Sequence, residues 1–139
     1  MANERLRIPV DDPYLIALGR CLFTFARLEW AAVWCGEKIA PGFLQTSLTR
    51  TAGNTAAALL PVAGNAPAAA QARTVAAANE FRRLVPVRNN IMHAQPCTAP
   101  GGEQRLTRGS IWTIAELEAA ADEFAVCDIE LNDLFHNHL

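Results

Sequence analysis

Apolar residues recur at spacings of three and four through most of this chain, which is the period of helices buried on one face. Leu15, Leu18, Leu22 and Phe25 form one such stripe, and Phe23, Ala26, Trp30 and Val33 form a second. Arg20, Thr24, Arg27 and Lys38 lie opposite. The spacing predicts a first helix over 12–40, capped by Asp11 or Asp12, with Pro13 in its first turn and Pro41-Gly42 as its stop. Its apolar circumference is wider than a small bundle needs. One side is expected to meet the bundle and the other, with Trp30, Val33 and Trp34, a second subunit.

Leu44, Leu48, Ala52, Thr55 and Leu59 predict a second helix over 44–60, weakened by Gly53 and Asn54 and ended by Pro61. Pro67 opens a third over 66–94, Ala-rich at first and then carrying Val75, Ala78, Phe81, Leu84 and Val85. Within it, Pro86 removes a hydrogen bond and crowds the preceding turn, which predicts a kink or a fresh helical start just before Arg88. Gln95-Pro96 closes the element. Residues 97–109 read as a polar loop, in which Pro100-Gly101-Gly102 suits the tip of a short hairpin. Thr113 and Glu116 form a capping box for a last helix over 113–136, with Leu117, Ala120, Ala121, Phe124, Cys127, Leu131 and Leu134. The expected fold is all-α: a compact four-to-five-helix bundle, one domain over 1–139, with one polar loop or short hairpin before the last helix.

Composition narrows the class. With 51% hydrophobic residues the chain is expected to fold rather than stay disordered. No apolar run reaches the ~18 residues of a membrane span, and Asn3, Glu4, Arg5 and Arg7 are unlike the start of a signal peptide. A cytoplasmic protein with no membrane partner is the expectation. Cys21, Cys35, Cys97 and Cys127 form no C-x-x-C pair, and no histidine spacing completes a zinc pattern. His136 and His138, two residues apart, cannot share a helix face. No metal and no cofactor are expected, and the cysteines inside helical patterns read as buried free thiols.

The net charge of −2 conceals a strong segregation. Residues 1–72 carry net +1, residues 73–108 net +4 and residues 109–139 net −7. Arg82, Arg83, Arg105 and Arg108 of the basic third are therefore candidates for holding an anionic ligand, a solvated basic face being the alternative.

That third also contains Arg88-Asn89-Asn90-Ile91-Met92-His93 at a predicted helix end. An arginine supplies a fixed charge suited to phosphate, and an imidazole transfers protons near neutral pH. Asn89 and His93, four residues apart, share a helix face, whereas Arg88 and His93, about 140° apart on an ideal helix, point different ways and can flank one groove. Glu29 extends the Leu15–Phe25 stripe, and Arg88 follows Phe81 and Leu84 on the third helix. Two opposite charges on apolar stripes predict a Glu29–Arg88 contact, either as a structural ion pair or as support for a phosphate-binding arginine.

Arg88-Asn89-x-x-x-His93, late in a helical domain with a glutamate in its first long helix, resembles the motif of the HEPN superfamily. That motif is an arginine, usually followed by Asn, Asp or His, and a histidine after four to six intervening residues. The resemblance implies a helical-bundle homodimer whose motifs meet across the dimer. It implies metal-independent endoribonuclease activity, in which the RNA's own 2′-hydroxyl attacks and leaves a cyclic phosphate. In that scheme His93 is general base or acid, Arg88 stabilises phosphate charge, Asn89 positions and Glu29 holds Arg88. RNA is the implied substrate, an antitoxin protein an implied partner, and a toxin or phage-defence component the implied role. Two other readings stay open: a non-catalytic HEPN-like module binding a nucleotide or a partner protein, and a plain helical dimerisation protein.

Overall fold

The computed structural model describes residues 2–139. After a 3₁₀ turn at Glu4–Arg7, these form α1 (Asp12–Ile39), α2 (Phe43–Ser47), α3 (Ala52–Ala63), α4 (Gln71–Met92), β1 (Gln95–Thr98), β2 (Gln104–Arg108), β3 (Ser110–Trp112) and α5 (Ile114–Asn137). The helical bundle is as expected, but the all-α expectation needs correction. The segment between α4 and α5 folds into a three-stranded antiparallel sheet in the order β1-β2-β3.

Start and stop signals act much as their chemistry requires. The Asp11 carboxylate accepts the Tyr14 N–H at 3.0 Å and caps α1. Its end is held by Glu37, whose Oε2 accepts the N–H groups of Leu44 and Gly42, each at 2.9 Å. Those bonds keep the Glu37 carboxyl below its ordinary pKa. Gly42 has φ +100°, and a Cβ at Gly36 would overlap the Phe43 ring, so glycine is needed at both. The α5 capping box is complete: Glu116 N–H donates to Thr113 Oγ1, and Thr113 N–H to Glu116 Oε2, both at 3.1 Å.

The predicted second helix is two. Leu48 to Thr51 interrupt it, and Thr51 caps α3 by accepting the Asn54 N–H at 3.2 Å. Pro61 does not end α3, which continues to Ala63. Nor does Pro86 break α4, which runs unbroken from Gln71 to Met92. Both Pro86 and Arg82, whose carbonyl loses its helical donor, lie on the exposed face, so water is within reach of the orphaned oxygen.

The buried stripe of α1 is Tyr14, Ala17, Cys21, Phe25, Leu28, Ala32 and Cys35. It replaces the expected stripe beginning at Leu15, which is 45% exposed. Small residues at positions 17, 21 and 32 let neighbouring helices approach closely. Contacts pair α1 with α5 in parallel: Phe25 meets Phe124, Arg27 meets Asp128 and Cys35 Sγ donates to the Leu131 carbonyl. Helix α4 runs antiparallel to α5, with Arg83 joined to Glu123 and Arg73 to Glu130 and Asp133.

Tyr14 fastens the sheet to this bundle. Its hydroxyl donates to the Trp112 carbonyl at 2.8 Å and accepts the Leu106 N–H at 3.0 Å. These two residues face each other across β2 and β3. Burial pushes the phenol pKa up. Arg105 lies over the Tyr14 ring at 4.4 Å and pairs with Asp11 at 2.6 Å. Burial likewise raises the thiols of Cys35 and Cys127 to about 12 and that of Cys21 to about 11, so all three stay protonated at neutral pH.

Tyr14→Phe removes both hydroxyl bonds and leaves two backbone groups to find water. It is expected to cost about 1–3 kcal/mol in urea titration, with the loss of hydrogen-exchange protection concentrated in β2 and β3. Acid should also weaken the fold. Arg105 holds Asp11, Arg73 holds Asp133 and Arg83 holds Glu80, each below its ordinary carboxyl pKa. A depressed folded pKa stabilises above the unfolded value of roughly 4 and is lost as pH falls through the folded value. The urea midpoint should therefore be level from pH 7 to about 5 and fall below about 4.

Candidate functional site

Residues from three elements meet in a cleft of about 610 Å³: Glu29 from α1, Arg50 to Gly53 at the start of α3, and Arg88, Asn89, Met92 and His93 from the end of α4. Arg88 enters because α4 presents it one turn after Leu84, which is fully buried. Its guanidinium lies over the Phe25 ring at 4.7 Å. Stacking on a core aromatic restricts the arginine and strips water from one side. The Nε atom is buried and has no hydrogen-bond partner. His93 is the C-cap of α4, with its backbone N–H on the Asn89 carbonyl at 3.0 Å, and it is exposed.

The expected contact between Glu29 and Arg88 is not made. Both line the cleft, but no ion pair or hydrogen bond joins them, and the orphaned Nε belongs to that arginine. Glu29 is half-buried rather than enclosed, because the true core stripe of α1 passes through Leu28 and leaves Glu29 on its margin. Water supplies part of its solvation, so nothing forces it onto the arginine.

The basic residues expected to support Arg88 are elsewhere. Arg83 is bound to Glu80 at 2.6 Å and to Glu123. Arg105 is tied to Asp11 above Tyr14. Arg108 lines a separate cleft with Pro86, Asn90, Trp112 and Glu116, where Asn90 accepts the Trp112 indole N–H at 2.8 Å. Arg82 is exposed on α4 outside the walls of the Arg88 cleft. The acidic last helix accounts for Arg83: its carboxylates draw that arginine onto themselves, as they do Arg73 of α4 and Arg27 of α1.

Arg50 takes their place and was not singled out in the sequence. It stands directly before the Thr51 cap, with its guanidinium 5.7 Å from the Phe43 ring centre. The first-turn residues Ala52 and Gly53 bring to the wall a helix N-terminus, where backbone N–H groups lack intrahelical acceptors and the helix dipole is positive. The signal that would have found them is Thr51-Ala-Gly-Asn54, a cap followed by poor helix formers, which marks a helix start inside the 44–60 pattern. Glu29 is the one acid lining this cleft, against two arginines, so its fixed charge is net positive. An oxyanion with several acceptor oxygens suits that combination of guanidinium groups and helix amides.

No group of three or more His, Cys, Asp or Glu side chains among the described residues is placed to hold a metal ion. No described helix is long and apolar enough to cross a membrane. No family model, curated protein or solved structure matches the chain.

Inorganic phosphate is the simplest probe of the cleft. At ten times its Kd it should stabilise the folded protein by about 1.4 kcal/mol, read as a rise in thermal midpoint. Arg88→Met should abolish that rise while the unliganded midpoint holds, since methionine fills similar space over Phe25 without a donor. An equal rise in the variant would place phosphate at another site.

Proposed function

We propose that the cleft binds an RNA phosphodiester and that the protein is a metal-independent endoribonuclease of HEPN type, working as a homodimer. The observation that carries the reading is the Arg88 guanidinium, stacked on Phe25 without an acidic partner and lining a cleft that also holds Arg50 and a histidine. Desolvated donors of this kind favour an anionic acceptor.

The reaction needs one base and one acid. The ribose 2′-oxygen attacks phosphorus as His93 of one copy accepts its proton. The P–O5′ bond breaks, and His93 of the second copy donates a proton to the departing 5′-oxygen. The products are a 2′,3′-cyclic phosphate and a 5′-hydroxyl, with no atom or electron unaccounted for. Arg88 and Arg50 neutralise the non-bridging oxygens, and Asn89, one turn before His93, orients the imidazole or donates to phosphate. Glu29 serves as a counter-charge at the edge of the cleft rather than as the direct holder of Arg88. A toxin or phage-defence role in the cytoplasm, with an antitoxin protein as a further partner, belongs to the same reading.

His93→Ala should lower RNA cleavage by about 10²- to 10⁴-fold with an unchanged circular dichroism spectrum. The products of the unaltered protein should carry cyclic phosphate ends, and chelator should leave the rate unchanged. Activity that disappears with EDTA and returns with Mg²⁺ would reject the mechanism.

A further inference from the structure

Helices α1 and α5 leave a cleft of about 350 Å³ between them. It lies on the flank of α1 away from the Arg88 cleft, with Glu29 roughly 150° around the helix from its centre. Ala31 stands between Arg27 and Trp34 on this flank, and its small side chain makes the hollow. Of the residues expected to face a second subunit, Val33 is buried, whereas Trp30 and Trp34 remain 51% and 37% exposed and wall this cleft. Trp30 meets Trp34 edge-on at 6.0 Å, and Trp34 meets Phe135 edge-on at 6.3 Å. Rings set at steep angles are not stacked face to face, which leaves ring faces available to a flat guest.

The inner end of the cleft is polar. Asp128 lines it and is buried, 6% exposed. Its Oδ2 accepts Arg27 Nε at 3.3 Å, and its Oδ1 accepts Asn132 Nδ2 at 3.1 Å. A carboxylate has about four acceptor positions, so roughly two are left over. The terminal amino groups of Arg27 make no hydrogen bond among the described residues and stand beside that carboxylate.

Charge selects the class of guest. Arg27 and Asp128 neutralise each other, and Lys38 already lies over the Phe135 ring at 4.6 Å. An organic cation would meet two positive groups, and an anion would meet aromatic walls and a carboxylate. A neutral flat ring with a hydrogen-bonding edge fits, and the volume is at the small end of the ~300–1,000 Å³ usual for ligand pockets. The carboxylate suits two adjacent N–H donors, and the guanidinium beside it suits a carbonyl oxygen. Among the four RNA bases, guanine alone presents that order on its pairing edge. We propose that this cleft binds a guanine base, its ring against Trp30 and Trp34, its N1–H and amino group on Asp128 and its O6 facing Arg27. Free guanosine and a guanine unstacked from single-stranded RNA offer the same edge.

Nucleosides carry no phosphate, so they test this cleft apart from the Arg88 cleft. Guanosine should quench the tryptophan fluorescence of the full chain saturably, with a Kd at least ~10-fold below those of adenosine, cytidine and uridine. Guanosine methylated at N1 lacks one of the two donors and should bind at least ~10-fold more weakly. Trp30→Ala, at an exposed position, should weaken guanosine binding ~10-fold with an unchanged circular dichroism spectrum. Asp128→Asn should remove the preference for guanosine; should that variant fail to fold, the methylated nucleoside still tests the carboxylate. Arg88→Met should bind guanosine as the unaltered protein does. An oligouridylate containing one guanosine separates the two sources: displacement of guanosine assigns the site to RNA, and failure to displace assigns it to the free nucleoside, each supporting the guanine site. Equal quenching by all four nucleosides, no quenching at millimolar guanosine, or full binding of the methylated form would each overturn it. So would tryptophan emission that changes with protein concentration and then ignores guanosine, since a second copy would be covering the rings. Guanosine binding by a protein that cleaves no RNA supports the guanine site and rejects the nuclease reading.

Discussion

Phe25 meets Phe124 of α5 edge-on at 5.0 Å and lies 6.1 Å from Phe81 of α4, so the three longest helices converge on one ring. The same ring carries the Arg88 guanidinium on its outward face. Core and cleft are thus two sides of one side chain. Helix α4 settles at the depth where Phe81 and Leu84 are buried, and that depth brings Arg88 onto the aromatic face with its Nε shielded from water. A smaller residue at position 25 would loosen the helix junction and return the arginine to solvent at the same time.

Charge is distributed around that junction by simple neutralisation. The acidic α5 is bordered by Arg27 on one side and by Arg73 and Arg83 on the other, and these pairs are mostly surface ones of modest energy. Their effect on binding is larger than their effect on stability. Each arginine they hold is withdrawn from the pool that could bind a polyanion, and Arg50 and Arg88 remain in the cleft without an acidic partner. A chain with net charge −2 can still present a positive cleft when its acids are spent elsewhere.

The bundle was largely legible because its signals are local: Asp11, Pro13 and Pro41-Gly42 bound α1, and Thr113 with Glu116 starts α5. Interruptions read less well. Thr51 looked like a mid-helix residue because Leu48, Ala52 and Thr55 keep helical spacing across the break between α2 and α3. The third strand escaped notice because three residues, Ser110 to Trp112, carry no alternation of their own and are specified by the Tyr14 hydroxyl from 98 residues away. Arg88, Asn89, His93 and Glu29 line one cleft. The pairing within it did not follow, since a one-residue choice of which α1 stripe is buried moves Glu29 from the core to its edge.

Parallel packing of α1 against α5 carries a cost in the order of assembly. The first and last α-helices are direct neighbours, yet the other three α-helices and all three strands lie between them in the chain. On a ribosome adding roughly 5–20 residues per second, on the order of ten seconds separates the emergence of Tyr14 from that of Trp112. During that interval the buried stripe of α1 faces water without its main cover, beside Ile16, Phe23 and Trp30, which stay exposed in the folded chain. A nascent chain in this state exposes two apolar surfaces on one helix until α5 is released.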